Sequence, residues 1–202
     1  MEERYLLAHV TTTKNAEKII SSKQFCMSKH TPQTIQWLGD GVYFWDGNDK
    51  GIINELGKNL VQRKSNNKNE PISKIEIILH INEDKHLNLD DNDIAKVFEN
   101  FLIEINKEEL IDMLKMYKGK ERLTTKEKNK LGKIFGTCIN AFKNHIENEM
   151  DYKVDMISYT FYSGAKKSIL FSKEGFYNKQ FCIKNLELIN NLNEEDYYCI
   201  SI

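Results

Sequence analysis

A chain of 202 residues with 40% hydrophobic and 29% charged side chains is long enough to form one domain and bury its own core, so no metal or disulfide staple is required. Its 29 basic and 30 acidic residues leave a net charge of −1, which removes any bulk electrostatic argument for nucleic-acid binding. Met1-Glu2-Glu3-Arg4-Tyr5 lacks the basic and apolar regions of a signal peptide, and the longest apolar stretch, Ile75 to Ile81, is broken by Glu76 and His80; a cytoplasmic protein with no membrane partner is expected.

In chain order, Tyr5–Thr11 reads as a strand, with Thr12 or Thr13 placed to cap a helix over Asn15–Ser22 that puts Ala16, Ile19 and Ile20 on one face. Phe25–Met27 is a short strand candidate. Gly41–Trp45 is a β-prone run bounded by turn residues on both sides. Asn48 or Asp49 is placed to cap a helix through about Arg63, and polar Lys64–Asn69 reads as a loop. Ile75–Ile81 is a strand. Asp90 or Asp91 opens a helix carrying Ile94, Phe98, Phe101 and Leu102, and Glu108–Tyr117 and Thr125–Glu149 continue as helices.

Met156–Phe161, Gln180–Ile183, Leu186–Ile189 and Tyr197–Ile202 read as strands, with Tyr162–Lys179 as a long loop between the first two. Strands at both ends with helices between them give an α+β class. The expectation is a single domain over 1–202 with 90–149 as a helical insertion.

Among the residues able to carry chemistry, Cys26, Cys138, Cys182 and Cys199 are widely spaced and form no Cys-x-x-Cys pair, which argues against a zinc site or disulfide framework. Three of them (Cys26, Cys182 and Cys199) sit in apolar, strand-like runs where a thiol acts as a small hydrophobe. His9 lies within the first strand, where the ordinary reading is a histidine satisfied by a backbone carbonyl. Trp37-Leu38-Gly39-Asp40-Gly41-Val42-Tyr43-Phe44-Trp45 joins a glycine-bounded turn to three aromatics. Period two puts Tyr43 opposite Phe44, so the rings cannot all enter one core, and a π surface beside a close backbone turn suits a flat heteroaromatic ligand. Gln180 stands at the start of its strand, and Lys166, Lys167, Lys173 and Lys179 read as a solvated face or an anion-steering patch.

These segments resemble the active site of the poly(ADP-ribose)-polymerase-like, or His-Tyr-Glu type, ADP-ribosyltransferases. His9-Val10-Thr11 is similar to that family's first-strand His-Gly-Ser/Thr. Gly39-Asp40-Gly41-Val42-Tyr43-Phe44 is similar to its Gly-x-Gly-Ile/Val-Tyr-Phe strand. Lys179-Gln180-Phe181-Cys182-Ile183-Lys184-Asn185 is similar to the late strand opening with its third catalytic residue, with Gln180 in place of glutamate. The resemblance implies split antiparallel sheets holding NAD as substrate, with no metal. It implies His9, Tyr43 and Gln180 as the catalytic set, and His9, Val10, Thr11, Gly41, Tyr43 and Trp45 as the NAD-binding set. His9 would bond a ribose hydroxyl, the Val10 main chain would meet the nicotinamide carboxamide, Tyr43 would stack on the ring, and Gln180 would contact the nicotinamide ribose near its anomeric carbon.

Two more family positions, counted without gaps, fall on Gly51, where a serine is common, and Asn54, where a second stacking tyrosine is common. The function implied is a mono-ADP-ribosyltransferase acting on a macromolecular acceptor, protein or nucleic acid. By analogy it is a microbial toxin or defence effector, with an antitoxin as a candidate partner. NAD glycohydrolase activity and non-catalytic binding of NAD or ADP-ribose are the alternatives.

Overall fold

The computed structural model describes residues 1–31, 33–57, 59, 61, 69–118, 124–163, 176–193 and 196–201. The strands are β1 (Glu2–Thr12), β2 (Val42–Asp46), β3 (Ile72–Asn82), β4 (His86–Asn88), β5 (Met156–Ser163), β6 (Phe176–Ile183) and β7 (Tyr197–Ser201). They form one seven-stranded sheet in the order β4-β5-β6-β2-β1-β3-β7, antiparallel except for the parallel pair β4–β5. The helices are α1 (Thr13–Ser22), a short α2 (Lys50–Ile52) continued by a π-turn (Ile53–Gly57), α3 (Asn92–Glu104), α4 (Glu108–Lys118), α5 (Thr125–Met150) and α6 (Glu187–Asn190). The α+β class stands.

Local chemistry explains where the elements begin. The Thr12 hydroxyl accepts the Asn15 N–H and starts α1, and Asp91 accepts from the N–H groups of Asp93 and Ile94 to start α3. Thr124 and Glu127 form a reciprocal capping box at the head of α5.

Period-two alternation divides the sheet into two faces. One buries Leu7, Val42, Phe44, Ile75, Ile77, Phe181 and Ile183 with Phe25 and Ile189. On the other, α3, α4 and α5 bring Phe98, Leu102, Leu110, Phe135 and Phe142 onto Ile157, Tyr159 and Cys182. A smaller cluster on that second face joins Ala8, Val10 and Trp45 to Ile53, Val61 and Ile72. Each such aliphatic or phenyl side chain, fully buried, contributes about 1.5–3 kcal/mol before the entropy of ordering it.

Several expectations are corrected. Phe25–Met27 is not a strand; only an isolated bridge between Ser28 and Gly41 forms nearby. Leu186–Ile189 is not a strand: Glu187–Ile189 fall in α6 with Leu186 as its N-cap, and Asn185 Oδ1 accepts the Glu187 N–H at 3.2 Å. β6 begins at Phe176, so Gln180 lies inside the strand and Tyr162–Lys179 is not all loop. Cys138 and Cys182 are buried, but Cys26 and Cys199 are exposed, because the first lies in a loop and the second on edge strand β7. Lys166, Lys167 and Lys173, most of the Lys64–Asn69 loop and the end of the helix predicted to reach Arg63 lie outside the described residues.

His86 at the start of β4 fastens the sheet's outer edge, with Nδ1 at 3.0 Å from Tyr5 Oη and Nε2 at 2.8 Å from Ser158 Oγ. Burial, helped by the Lys179 charge, pushes its pKa down to about 4. Between that value and the ordinary 6.5 the unfolded chain binds the extra proton, so stability falls as pH drops across this window. The loss expected is about 2 kcal/mol, reduced from the full shift because the ring is partly exposed. Denaturant melts from pH 7 to pH 4 should show a slope that His86→Gln flattens; an equal slope in both proteins would assign the acid sensitivity elsewhere.

Candidate functional site

The three motif-bearing strands are neighbours at the centre of the sheet, in the order β6-β2-β1. On β2, Tyr43 is paired with Cys182 and Trp45 with Gln180 of β6; Trp45 is paired on its other side with Ala8 of β1. Gln180, Trp45 and Ala8 therefore form one row on one face, with Tyr43 and Cys182 in the next row of that face.

The β1–β2 ladder is short. It comprises Leu7–Asp46 and Ala8–Trp45, after which the strands part although both continue. The Leu6 carbonyl accepts the Gly47 N–H at 2.8 Å, which fixes which main-chain groups of β1 face β2. By period two, Ala8 and then Val10 face the same way. No ladder pair joins Val10 to Tyr43. Instead, His9 Nδ1 lies 2.8 Å from the Tyr43 carbonyl, and because a carbonyl only accepts, Nδ1 carries the proton. The N–H and C=O of Val10 are thereby directed at the seam where the strands diverge.

The π-turn comes down beside this seam. A Cβ on Gly57 would stand 2.6 Å from Val10 Cγ2, so only a glycine permits this approach. Gly51 and Asn54 are both exposed, and a Cβ on Gly51 would meet nothing closer than Asp49 Oδ1 at 3.8 Å.

The side chains of His9, Tyr43 and Gln180, the expected catalytic set, do not share one face. The His9 ring packs edge-on against Phe25 and at a tilt to Phe44, both at 5.5 Å, whereas Tyr43, Trp45 and Gln180 project on the opposite side. The reason is register: His9 lies one residue beyond Ala8, which shares the Trp45 row. Thr11 continues β1 and pairs with Ser73 of β3.

Tyr43 is half-buried, and its hydroxyl is committed to the preceding turn: it donates to the Gly39 carbonyl and accepts the Leu38 N–H, both at 2.8 Å. Burial pushes its pKa well up, so the phenol stays protonated. Gln180 turns its amide nitrogen to Asn178 Oδ1 at 3.3 Å.

The Gly-Asp-Gly turn is the most heavily tied feature of the region. Gly39 has φ 72° and Gly41 φ 154°, conformations that favour glycine. Asp40 Oδ1 accepts the His30 N–H at 2.7 Å and an Asn140 N–H at 3.2 Å, while Lys29 lies 3.1 Å from Oδ2. Burial works against the charge of Asp40, but these donors outweigh it and hold the carboxyl below its usual pKa. Lys184 is buried and donates to the carbonyls of both Leu38 and Asp40; desolvation lowers its pKa.

Asp40, Asn140 and Lys184 are the residues that sequence reasoning missed as supports of the site. The only signal for Lys184 is a cation ending an apolar strand, which reads equally well as solvent-exposed. Lys179, read as a solvated charge, lies 3.7 Å from Asp90 and donates to Asn88 Oδ1.

A cavity of about 70 Å³ lies elsewhere, among Phe98, Leu102, Ile111, Phe135 and Tyr159, and is too small for a dinucleotide. Among the described residues no group of three or more His, Cys, Asp or Glu is placed to hold a metal ion, and no helix is long and apolar enough to cross a membrane. Comparison with protein-family models, curated proteins and solved structures found no match.

Proposed function

We propose that this chain binds NAD at the β1–β2 seam and transfers a single ADP-ribose to a macromolecular acceptor. One observation carries the reading. Segments from the beginning, the first quarter and the end of the chain, chosen for their motif resemblance alone, lie on adjacent strands, and the ladder between two of them breaks off beside Val10.

The chemistry follows from what the seam offers. The Val10 N–H and C=O match the oxygen and amide nitrogen of a carboxamide, and so orient the nicotinamide. The resemblance gives His9 a contact with a ribose hydroxyl. Tyr43, anchored through its hydroxyl, offers a fixed ring edge or face. The nicotinamide–ribose bond breaks with its electron pair going to the positively charged nicotinamide, leaving oxocarbenium character at the anomeric carbon. The acceptor nucleophile then bonds to that carbon and gives up its proton.

Such a step is served by orientation and by fixed dipoles in a site shielded from water. Gln180 can orient a ribose hydroxyl but cannot take its proton, so elongation into polymer lacks a base. The family's glutamate would add a charge-assisted bond, roughly twice as strong as the neutral one glutamine makes.

Labelled NAD incubated with the protein and cell extract tests the reading. Label on a macromolecule is expected, and the modified acceptor should carry one ADP-ribose per site by mass spectrometry. Free ADP-ribose alone would identify a glycohydrolase, unaltered but bound NAD a binding domain, and a ladder of additions would overturn the role given to Gln180.

A further inference from the structure

The two edges of the sheet are built differently. β4 is three residues long and carries His86 and Asn88, both hydrogen-bonded to Ser158 of β5. β7, at the opposite edge, runs five residues, Tyr197-Tyr198-Cys199-Ile200-Ser201, with no charge, proline or glycine among them. An edge strand presents unpaired N–H and C=O groups, and folded proteins ordinarily blunt it with lysine, proline, a bulge or a covering element. The β3–β7 ladder runs without a bulge from Ile77–Tyr197 to Ser73–Ser201. Tyr198 is 51% exposed and Ile200 44%, and Cys199, which points to the other face, is exposed as well. Exposure of three successive residues on alternating faces leaves the edge itself open.

The chemistry of this edge suits a second copy of itself. Turned about a two-fold axis through Cys199, its middle residue, β7 pairs antiparallel with its own copy. Tyr198 then stands opposite Ile200 of the second copy, and Ile200 opposite the second copy's Tyr198. Aromatic and β-branched side chains make favourable cross-strand pairs. No charge on the strand repels its copy. In the next row inward, Lys74 and Glu76, which pair with Ile200 and Tyr198, neutralise each other at 2.6 Å. The arrangement is also closed, since each copy's β7 edge is used up by the other.

We propose that β7 is a dimerisation edge, at which two copies of this chain join antiparallel about Cys199 and one sheet runs through both. The proposal is independent of the NAD reading. A five-residue ladder is smaller than the roughly 1,600 Å² of a standard interface, so the association is weak and shows at high protein concentration.

Sedimentation of the full chain from about 1 to about 300 µM should show dimer growing with concentration. Residues opposed across an antiparallel pair have Cα atoms about 4.5–5.5 Å apart, within reach of a short thiol crosslinker. A short bis-maleimide should therefore give a covalent dimer that Cys26→Ser keeps and Cys199→Ser loses; Cys138 and Cys182 are buried. Tyr198→Lys sets a cation beside Glu76 in its own sheet but also at the open edge. It should weaken the dimer about ten-fold or more, with the melting temperature of the dilute protein unchanged.

A monomer throughout that range, a crosslinked dimer that survives Cys199→Ser, or a dimer untouched by Tyr198→Lys would overturn the proposal. Should Tyr198→Lys fail to fold, amide hydrogen exchange of the wild-type chain decides: protection of the β7 amides should rise with protein concentration. Protection that appears only when cell extract is added would overturn self-pairing and give the edge to a strand of another protein.

Discussion

Gly41→Ala is expected to cost about 3–5 kcal/mol and to lower the melting temperature by about 10–15 °C. Two penalties combine. The backbone at Gly41 has φ 154°, which an L side chain rarely adopts. The added Cβ would also stand 2.3 Å from Cys182 Sγ and 2.7 Å from the Ile183 carbonyl. Neither neighbour can retreat: Cys182 is fully buried, and the carbonyl belongs to the strand paired with β2. Relief requires β2 and β6 to separate, which would pull Trp45 from Gln180. Differential scanning calorimetry of the variant measures the loss, and a change below about 1 kcal/mol would show that the turn relaxes more easily than its contacts allow.

Lys184→Met is expected to destabilise by about 3–4 kcal/mol despite a close match in length and apolar character. The ammonium is the donor to the Leu38 and Asp40 carbonyls, and methionine leaves both without it. Removing a buried charge returns part of the cost of desolvating it, which keeps the estimate below the sum of two broken charge-assisted bonds. Burial also lowers the Lys184 pKa. With the folded pKa below the unfolded one, the unfolded chain binds more protons across the interval between them, so this group makes the fold more stable as pH rises there. That rise should vanish in Lys184→Met. Chemical denaturation of both proteins at neutral and alkaline pH measures both effects, and a variant as stable as the parent would mean that the turn holds without the lysine.

The sequence makes elements legible where periodicity and local chemistry agree. The strands around His9, Tyr43 and Ile77 carry β-branched or aromatic residues, and Thr12, Asp91 and Thr124 cap their helices as their hydroxyl and carboxylate oxygens allow. Leu186–Ile189 misleads because a short apolar run carries no period that separates strand from helix, and Asn185 Oδ1 accepts the Glu187 N–H just before α6 begins. β4 is three residues long and is held by pairing with β5 and by His86, neither of which leaves a local trace. Gln180 reads as a strand start because a polar, glycine-containing stretch precedes it, whereas Phe176 and Tyr177 already belong to the strand. At the site, the motifs named His9, Tyr43, Trp45 and Gln180. Which side chains share a face depends on where the β1–β2 ladder ends, and Lys184 and Asn140 act through tertiary contacts with a turn distant in sequence.

The helices α3, α4 and α5 leave the sheet after β4 and return into β5, and these two strands pair side by side at its outer edge, His86 with Met156. A segment whose two ends are neighbours behaves as a graft: its length and sequence can drift through evolution at little entropic cost to the host, since loop-closure entropy grows only slowly with length. Core packing and polar tethers limit that freedom. Asn140, in the middle of α5, accepts the Asp40 N–H at 2.8 Å and donates to its carboxylate. Relatives that exchanged this segment would have to keep an amide at that point, or rebuild the Gly-Asp-Gly turn together with it.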